Sequence, residues 1–175
     1  RFLDLRRQKI SAIFAIRSHL AAITTEFFIN EGFINIQTPK LTASGVESGA
    51  EEFKIDYFGK KASLAQSPQI YKQMFVMSGL EKVFEIGTVF RAEKSNTTRH
   101  LTEFTGIDFE MGFINDEHDV MDVVEKYFQF LLKKLNQECN NKLKTLGITL
   151  AVPKKIPRIQ LQEMREWLKQ QGKIV

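Results

Sequence analysis

Apolar residues recur at helical spacing over the first thirty residues of the chain. Between about residues 5 and 31 they fall at Ile10, Ile13, Phe14, Leu20, Ile23 and Phe27. Gly32 follows, at the position where a glycine commonly ends a helix in the left-handed conformation. The pattern therefore predicts one long helix that buries a single apolar face.

Three further segments are predicted to be helices. The first begins at Ser67, a capping residue that is followed by a proline, and ends at Gly79. The second runs from a cap at Asp116 to about residue 135, and the third covers about residues 160–171. We predict a linker, with room for one short strand, between residues 137 and 157.

Alternating apolar and polar residues predict strands elsewhere. Residues 33–36 form a short strand that ends before Pro39, because proline interrupts a sheet. Residues 53–57 alternate and turn at Gly59 into a partner strand at about residues 62–65. These three segments predict short, half-buried strands.

A long hairpin follows in the middle of the chain. Residues 83–93 and 101–113 flank a short polar loop, which indicates an antiparallel pair. Residues 42–52, which are small, polar and rich in glycine, predict a flexible loop. The whole pattern predicts an α+β fold, with an antiparallel β-sheet flanked by helices.

One face of the predicted hairpin suits a ligand. Strand alternation puts on this face a mostly polar set: Glu85, Gly87, Val89, Arg91, Glu93, Phe104, Gly106, Asp108 and Glu110. A guanidinium suits a phosphate, an exposed ring suits a base, and glycines leave room against the sheet. The alternation alone favours a different interpretation, a salt-bridged face in solvent. The opposite face is predicted to be core, with Ile107, Phe109, Met111 and Phe113.

Composition narrows the class of protein only a little. The 175 residues, 43% of them hydrophobic and 26% charged, suit one globular domain that fills residues 1–175. The net charge of +4 is compatible with a nucleic-acid partner and does not establish one. No apolar run approaches the roughly 20 residues of a bilayer span, so we expect no membrane partner. Cys139 is the one cysteine, which favours a reducing, cytoplasmic setting.

Several familiar chemical motifs are missing from the sequence. It contains neither the glycine-rich P-loop nor the dinucleotide-binding glycine motif. Its three histidines lack the spacing of metal ligands: His19, His100 and His118. We therefore predict no metal site within this chain.

The literal sequence of the hairpin resembles motif 2 of the class II aminoacyl-tRNA synthetases. The resemblance rests on residues 90–93 (FRAE), 99–104 (RHLTEF) and 107–111 (IDFEM). Residues 32–39 (GFINIQTP) are similar to motif 1, and residues 66–74 (QSPQIYKQM) to the helix that binds the amino acid. Within that family the likeness is to the aspartyl enzymes of the archaeal and eukaryotic type. Residues 1–6 (RFLDLR) resemble the start of their catalytic domain.

The resemblance implies an ATP site on the hairpin. Arg91 is expected to bind the α-phosphate and is the implied catalytic residue. Phe104 is expected to stack on adenine. The other residues implied at the ATP site are Ala92, Glu93, Arg99, His100 and Leu101.

The resemblance also implies an aspartate site beside the ATP site. Lys72 is expected at the side-chain carboxylate, and Asp108 is expected to face the ammonium group. The remaining residues implied at this site are Glu47, Gln69, Ile70, Tyr71 and Arg91. Each of these two residues has an open alternative. Lys72 could instead be an exposed lysine on an amphipathic helix, and Asp108 could instead pair only with Arg91. Pro39 is implied at a dimer interface.

The implied function is ATP-dependent activation of L-aspartate to aspartyl-adenylate, then transfer to tRNA(Asp), by a cytoplasmic homodimer that uses Mg²⁺. Motif 1 would cover about residues 24–42 and motif 2 about residues 83–113. We find neither motif 3 nor an anticodon-binding domain in the sequence. The alternatives are an asparaginyl-tRNA synthetase and a synthetase-derived paralogue, either an asparagine synthetase or a non-catalytic binding module. Ser48 and Thr88 depart from the family pattern, which usually has glycine and proline there.

Overall fold

The computed structural model describes residues 2–43, 51–93, 97 and 100–173. A short 3₁₀ turn precedes the first helix, and a π-helical turn follows the second. The elements in chain order are α1 (Gln8–Asn30), β1 (Ile34–Asn35), β2 (Leu41–Ala43), β3 (Lys54–Tyr57), β4 (Lys60–Leu64), α2 (Gln69–Phe75), β5 (Lys82–Phe90), β6 (Glu103–Met111), α3 (Glu117–Glu138), α4 (Asn140–Leu146) and α5 (Leu161–Gln170).

The described strands form two three-stranded sheets. The first has the order β1-β5-β6, and its β5–β6 pair is the predicted antiparallel hairpin. The second has the order β2-β4-β3 and is antiparallel throughout. β1 runs parallel to β5, so the first sheet is mixed at this edge. The α+β class is confirmed.

The core lies between the first sheet and the helices α1, α3 and α4. Phe28 of α1 stacks on Phe84 of β5, with ring centroids 4.9 Å apart, and lies 5.4 Å from Phe109 of β6. Tyr127 of α3 shares a hydrogen bond of 2.9 Å with Thr24, so its buried hydroxyl is not left unpaired. These contacts leave the opposite face of the hairpin to α2.

The caps predicted at Gly32 and Asp116 are confirmed, whereas α2 has Pro68 at its N-cap, one residue after the predicted Ser67. Gly32 follows α1 with a φ of +82°, a conformation that glycine adopts without strain. The Ser67 hydroxyl accepts the backbone N–H of Gln69 at 3.0 Å, and Asp116 accepts that of His118 at 2.8 Å. Each cap satisfies one of the backbone donors that a helix leaves unpaired at its start.

Two local predictions are wrong. Asn140–Leu146 forms α4, where we expected a linker or a strand. A seven-residue helix has two turns, too few for helical spacing to stand out in the sequence. Phe113 is 88% exposed and does not belong to the core. β6 ends at Met111, and the alternation of faces ends with the strand.

The composition of α1 corrects the expectation that no segment of the chain is long and apolar enough to span a membrane. By length and composition it could cross a membrane, with a mean hydropathy of 1.3 over its most apolar window. Core helices of soluble proteins pass the same test, and Ile23, Phe27 and Phe28 of α1 are buried in this core. Other apolar residues of the helix are exposed, among them Ile13, Phe14 and Ile29. The helix is therefore only weak evidence for a membrane-spanning segment. Its exposed side forms an apolar surface on the described part of the chain.

Candidate active site

α2 lies over the polar face of the β5–β6 hairpin. Gln69 and Lys72 stand three residues apart, so their side chains leave the helix on the same side. Gln69 Nε2 donates to Glu110 Oε2 at 3.3 Å, and Lys72 Nζ donates to Asp108 Oδ1 at 2.8 Å. The structure thus brings together three residues that the sequence predicted at the aspartate site.

Lys72 is almost completely buried, with 2% of its surface exposed. Its ammonium also donates to the main-chain oxygen of Phe109 at 3.3 Å and lies 3.4 Å from Glu110 Oε2. A buried cation needs such partners, because an unpaired charge loses its hydration without compensation. Both open alternatives are wrong: Lys72 is not a surface residue, and Asp108 is paired with Lys72.

A buried carboxylate, Glu85, lies on the same face. Glu85 is 1% exposed and accepts hydrogen bonds from the backbone N–H of Thr38 at 3.2 Å and its hydroxyl at 2.6 Å. Lys40 Nζ completes the set with a 2.7 Å contact to Glu85 Oε1. The sequence pattern gives no indication of Thr38 and Lys40 at this site, because no spacing rule connects positions more than forty residues apart. The only signal available was a glutamate within a strand, which needs donors if it is buried.

Gly87 provides the space for this ion pair. A Cβ at this position would lie 2.8 Å from Glu85 Oε1 and 3.1 Å from Lys40 Nζ. We predicted that Gly87 leaves room for a ligand, and the structure shows that protein atoms occupy that room. At Gly106 the nearest atom to a Cβ would be Asp108 Oδ2, at an ordinary 3.6 Å.

Arg91 and Phe104 lie farther along the hairpin, in a cleft of ≈ 470 Å³. The guanidinium carbon of Arg91 lies 5.7 Å from the centroid of the Phe104 ring, which is within the range of a cation–π contact. The buried Nε of Arg91 has no hydrogen-bond partner among the residues that the structure describes. A buried donor left unpaired is costly, so this N–H is suited to an anionic ligand.

Three more predicted ATP-site residues line the same cleft: Glu93, His100 and Leu101. Thr97 and His100 share a hydrogen bond of 2.6 Å between Oγ1 and Nδ1. The backbone N–H of Ala92 donates to the main-chain oxygen of Glu51 at 2.9 Å. This contact ties the end of β5 to the segment that leads into β3.

The remaining predicted site residues either do not line this cleft or are not among the residues that the structure describes. Ile70 and Tyr71 line a small cavity between α2 and β4, and the lining of this cavity includes neither Lys72 nor Asp108. Pro39 is exposed at the start of β2. Glu47 and Arg99 lie outside the described residues, as does most of the predicted flexible loop at 42–52.

The described side chains do not form a site for Mg²⁺ by themselves. Within residues 2–43, 51–93, 97 and 100–173 no group of three or more His, Cys, Asp or Glu side chains could hold a metal ion. Magnesium prefers several oxygen ligands in octahedral geometry, and the phosphates of a nucleotide can supply part of that set. We therefore derive no chemical step through a metal bound to these residues.

Comparison with known proteins places the chain in one family. The family described as tRNA synthetases class II (D, K and N) matches residues 1–173. Because the match covers almost the whole chain, the protein belongs to the class II tRNA synthetases of this group.

Individual relatives narrow the likeness. The chain is 49% identical to the aspartate–tRNA(Asp) ligase of Pyrococcus abyssi, over 99% of this chain and 40% of that protein. It is 46% identical to the aspartate–tRNA(Asp/Asn) ligase of Archaeoglobus fulgidus, over 98% of this chain and 40% of that protein. The asparaginyl-tRNA synthetase of Pyrococcus horikoshii, solved with asparaginyl-adenylate, superposes with a TM-score of 0.92 at 33% identity, over 100% of this chain and 41% of that one. The chain spans about 40% of the length of these relatives.

Proposed function

We propose that the full-length protein activates L-aspartate with ATP and transfers the aspartyl group to tRNA(Asp). The observation that carries this proposal is the burial of Lys72 between two carboxylates on the floor of the site. A compact ammonium there favours a side-chain carboxylate as its ligand, whereas a side-chain amide needs both donors and acceptors. We infer the specificity for tRNA(Asp) from the aspartate–tRNA(Asp) ligase of Pyrococcus abyssi, to which the chain is similar. We also propose that the protein is cytoplasmic.

The Lys72–Asp108 pair and the Arg91–Phe104 pair fit opposite ends of one ligand. Asp108 and Phe104 lie four residues apart on the same face of β6, a span of about 14 Å at ~3.4 Å per residue. In our proposal the amino acid lies near Asp108 and Lys72, and the adenine stacks on Phe104. Arg91 then lies beside the phosphate that joins the two halves.

The reaction needs no nucleophile from the protein. The α-carboxylate of aspartate attacks the α-phosphorus of ATP, a new O–P bond forms, and the bond to pyrophosphate breaks. The 3′-terminal ribose of the tRNA then attacks the aspartyl carbonyl and releases AMP. Positioning and charge stabilisation must supply most of the acceleration, and we assign the stabilisation of the α-phosphoryl oxygens to Arg91. Mg²⁺ would enter with the phosphates of ATP.

The proposal is tested by amino-acid-dependent exchange of labelled pyrophosphate into ATP. The full-length protein should exchange with aspartate and far more slowly with asparagine. Residues 1–175 alone should not exchange, since motif 3 is not in this sequence. Exchange with asparagine at the aspartate rate would favour the asparaginyl function, to which the likeness to the Pyrococcus horikoshii enzyme points. Absence of exchange with either amino acid would favour a non-catalytic paralogue.

We also propose that the full-length protein is a homodimer. Apolar side chains are exposed on α1 and along the segment that surrounds Pro39: Ile13, Phe14, Ile29, Ile34 and Leu41. Phe33 and Ile36 of the same segment are buried and belong to the core. A contiguous exposed apolar surface commonly marks a protein interface, and C₂ dimers are the commonest assemblies.

Phe14→Asp should therefore convert the full-length dimer to a monomer at micromolar concentration, as measured by light scattering. Phe14 is 53% exposed, so the change should cost little stability within one subunit. Met77→Asp is the matched control, because Met77 is also exposed but lies after α2, on the other side of the sheet. A monomeric wild-type protein, or a dimeric Phe14→Asp variant, would contradict the proposed interface.

A further inference from the structure

Lys40 and Glu85 form an ion pair that no part of the proposed reaction uses. Lys40 follows the exposed Pro39, and its ammonium also donates to the Thr38 hydroxyl at 3.1 Å. Only 1% of the Glu85 side chain is exposed, compared with 29% for Lys40. Glu85 depends on this lysine for neutralisation far more than the lysine depends on Glu85, because water can still hydrate the ammonium.

Glu85 also stands directly beside the candidate aspartate site. In the β5–β6 register it is the cross-strand partner of Asp108, so the two side chains share one face of the hairpin. Like charges at directly opposed positions destabilise a sheet. Here each carboxylate has its own lysine: Lys40 pairs with Glu85, and Lys72 pairs with Asp108.

We propose that Lys40 is a positioning residue for aspartate, and that it acts through Glu85. By neutralising Glu85, it removes a negative charge from the side of Asp108. Lys72 can then offer its ammonium to the substrate instead of compensating a third carboxylate. The inference rests on the proposed activation of aspartate, because it concerns the same pocket. The room left by Gly87 agrees with it, since a side chain there would displace the ion pair.

Lys40→Met in the full-length protein should raise KM for aspartate by about tenfold, because a buried carboxylate then lacks its cation. The kcat for pyrophosphate exchange and KM for ATP should change by less than about threefold, since Arg91 and Phe104 lie farther along the hairpin. Lys40→Arg should retain most of the affinity for aspartate, because it keeps the charge. Lys61→Met, at an exposed lysine of β4, is the matched control and should behave as wild type.

The double variant separates a positioning role from direct binding. Adding Glu85→Gln to Lys40→Met removes the stranded charge, and KM for aspartate should return to within about threefold of the Glu85→Gln value. If Lys40 binds aspartate itself, its loss will cost as much in the Glu85→Gln background as in the wild type, which overturns the proposal. The same comparison decides the matter if Lys40→Met alone fails to fold.

Two other outcomes bear on the inference. A Lys40→Met variant that folds and binds aspartate as wild type would overturn it. A change in thermal unfolding without any change in KM for aspartate would also overturn it, because the pair would then be only structural. Failure of the proposed function can be distinguished from failure of the role proposed for Lys40, because the wild-type protein would then show no aspartate-dependent exchange.

Discussion

Replacing Lys72 with leucine is expected to lower kcat/KM for aspartate by about 10²- to 10⁴-fold in the full-length protein. A charge-assisted hydrogen bond to the substrate contributes roughly 1.5–3 kcal/mol net. The structure adds a second penalty, because Asp108 and Glu110 would lose the cation that they share and would repel the incoming carboxylate. Together the losses reach about 5 kcal/mol at most.

The controls for Lys72 separate charge from folding. The side chains of Asp108 and Glu110 are 35% and 26% exposed, so water can hydrate them and the variant should still fold. Lys72→Arg should also be poor, because a forked guanidinium does not fit a space that holds a compact ammonium. ATP binding should change little in both variants. Normal activation of aspartate by Lys72→Leu would remove the main support for aspartate over asparagine.

Replacing Arg91 with alanine should lower the rate of adenylate formation by about 10²- to 10³-fold. Negative charge grows on the α-phosphoryl oxygens as the carboxylate attacks, so the guanidinium acts more strongly in the transition state than in the ground state. Aspartate binding should therefore fall much less than the rate. Single-turnover measurement of adenylate formation, together with calorimetry of aspartate binding, checks both statements.

Arg17→Ala is the matched control for Arg91. Arg17 of α1 donates to the Thr105 hydroxyl at 2.9 Å, so it contacts β6, the strand that carries Phe104, from the other side of the sheet. Its loss should leave the rate of adenylate formation within a few-fold of wild type. An Arg91→Ala enzyme as active as the Arg17→Ala control would show that the phosphate assignment is wrong.

The sequence by itself determined the elements whose signals lie within a few residues. Helical spacing located α1, α3 and α5, and the capping signal at Ser67 and Pro68 located α2. Alternation located the β5–β6 hairpin and its two faces. The motif at residues 90–111 indicated the family that the comparison with known proteins then established. These predictions succeeded because a helix repeats about every 3.6 residues and a strand every two, so neighbouring side chains report the local structure.

Only the tertiary structure decided which charges pair. Lys72 is spaced like a surface residue of an amphipathic helix, yet it is buried because α2 lies over the hairpin at Asp108. Glu85 looks like a residue of an open face, yet Thr38 and Lys40 cover it from a segment more than forty positions earlier. Contacts of this kind depend on how elements pack against each other, and no periodicity along the chain encodes them. The burial that makes Lys72 and Glu85 energetically important is therefore a property of the folded protein alone.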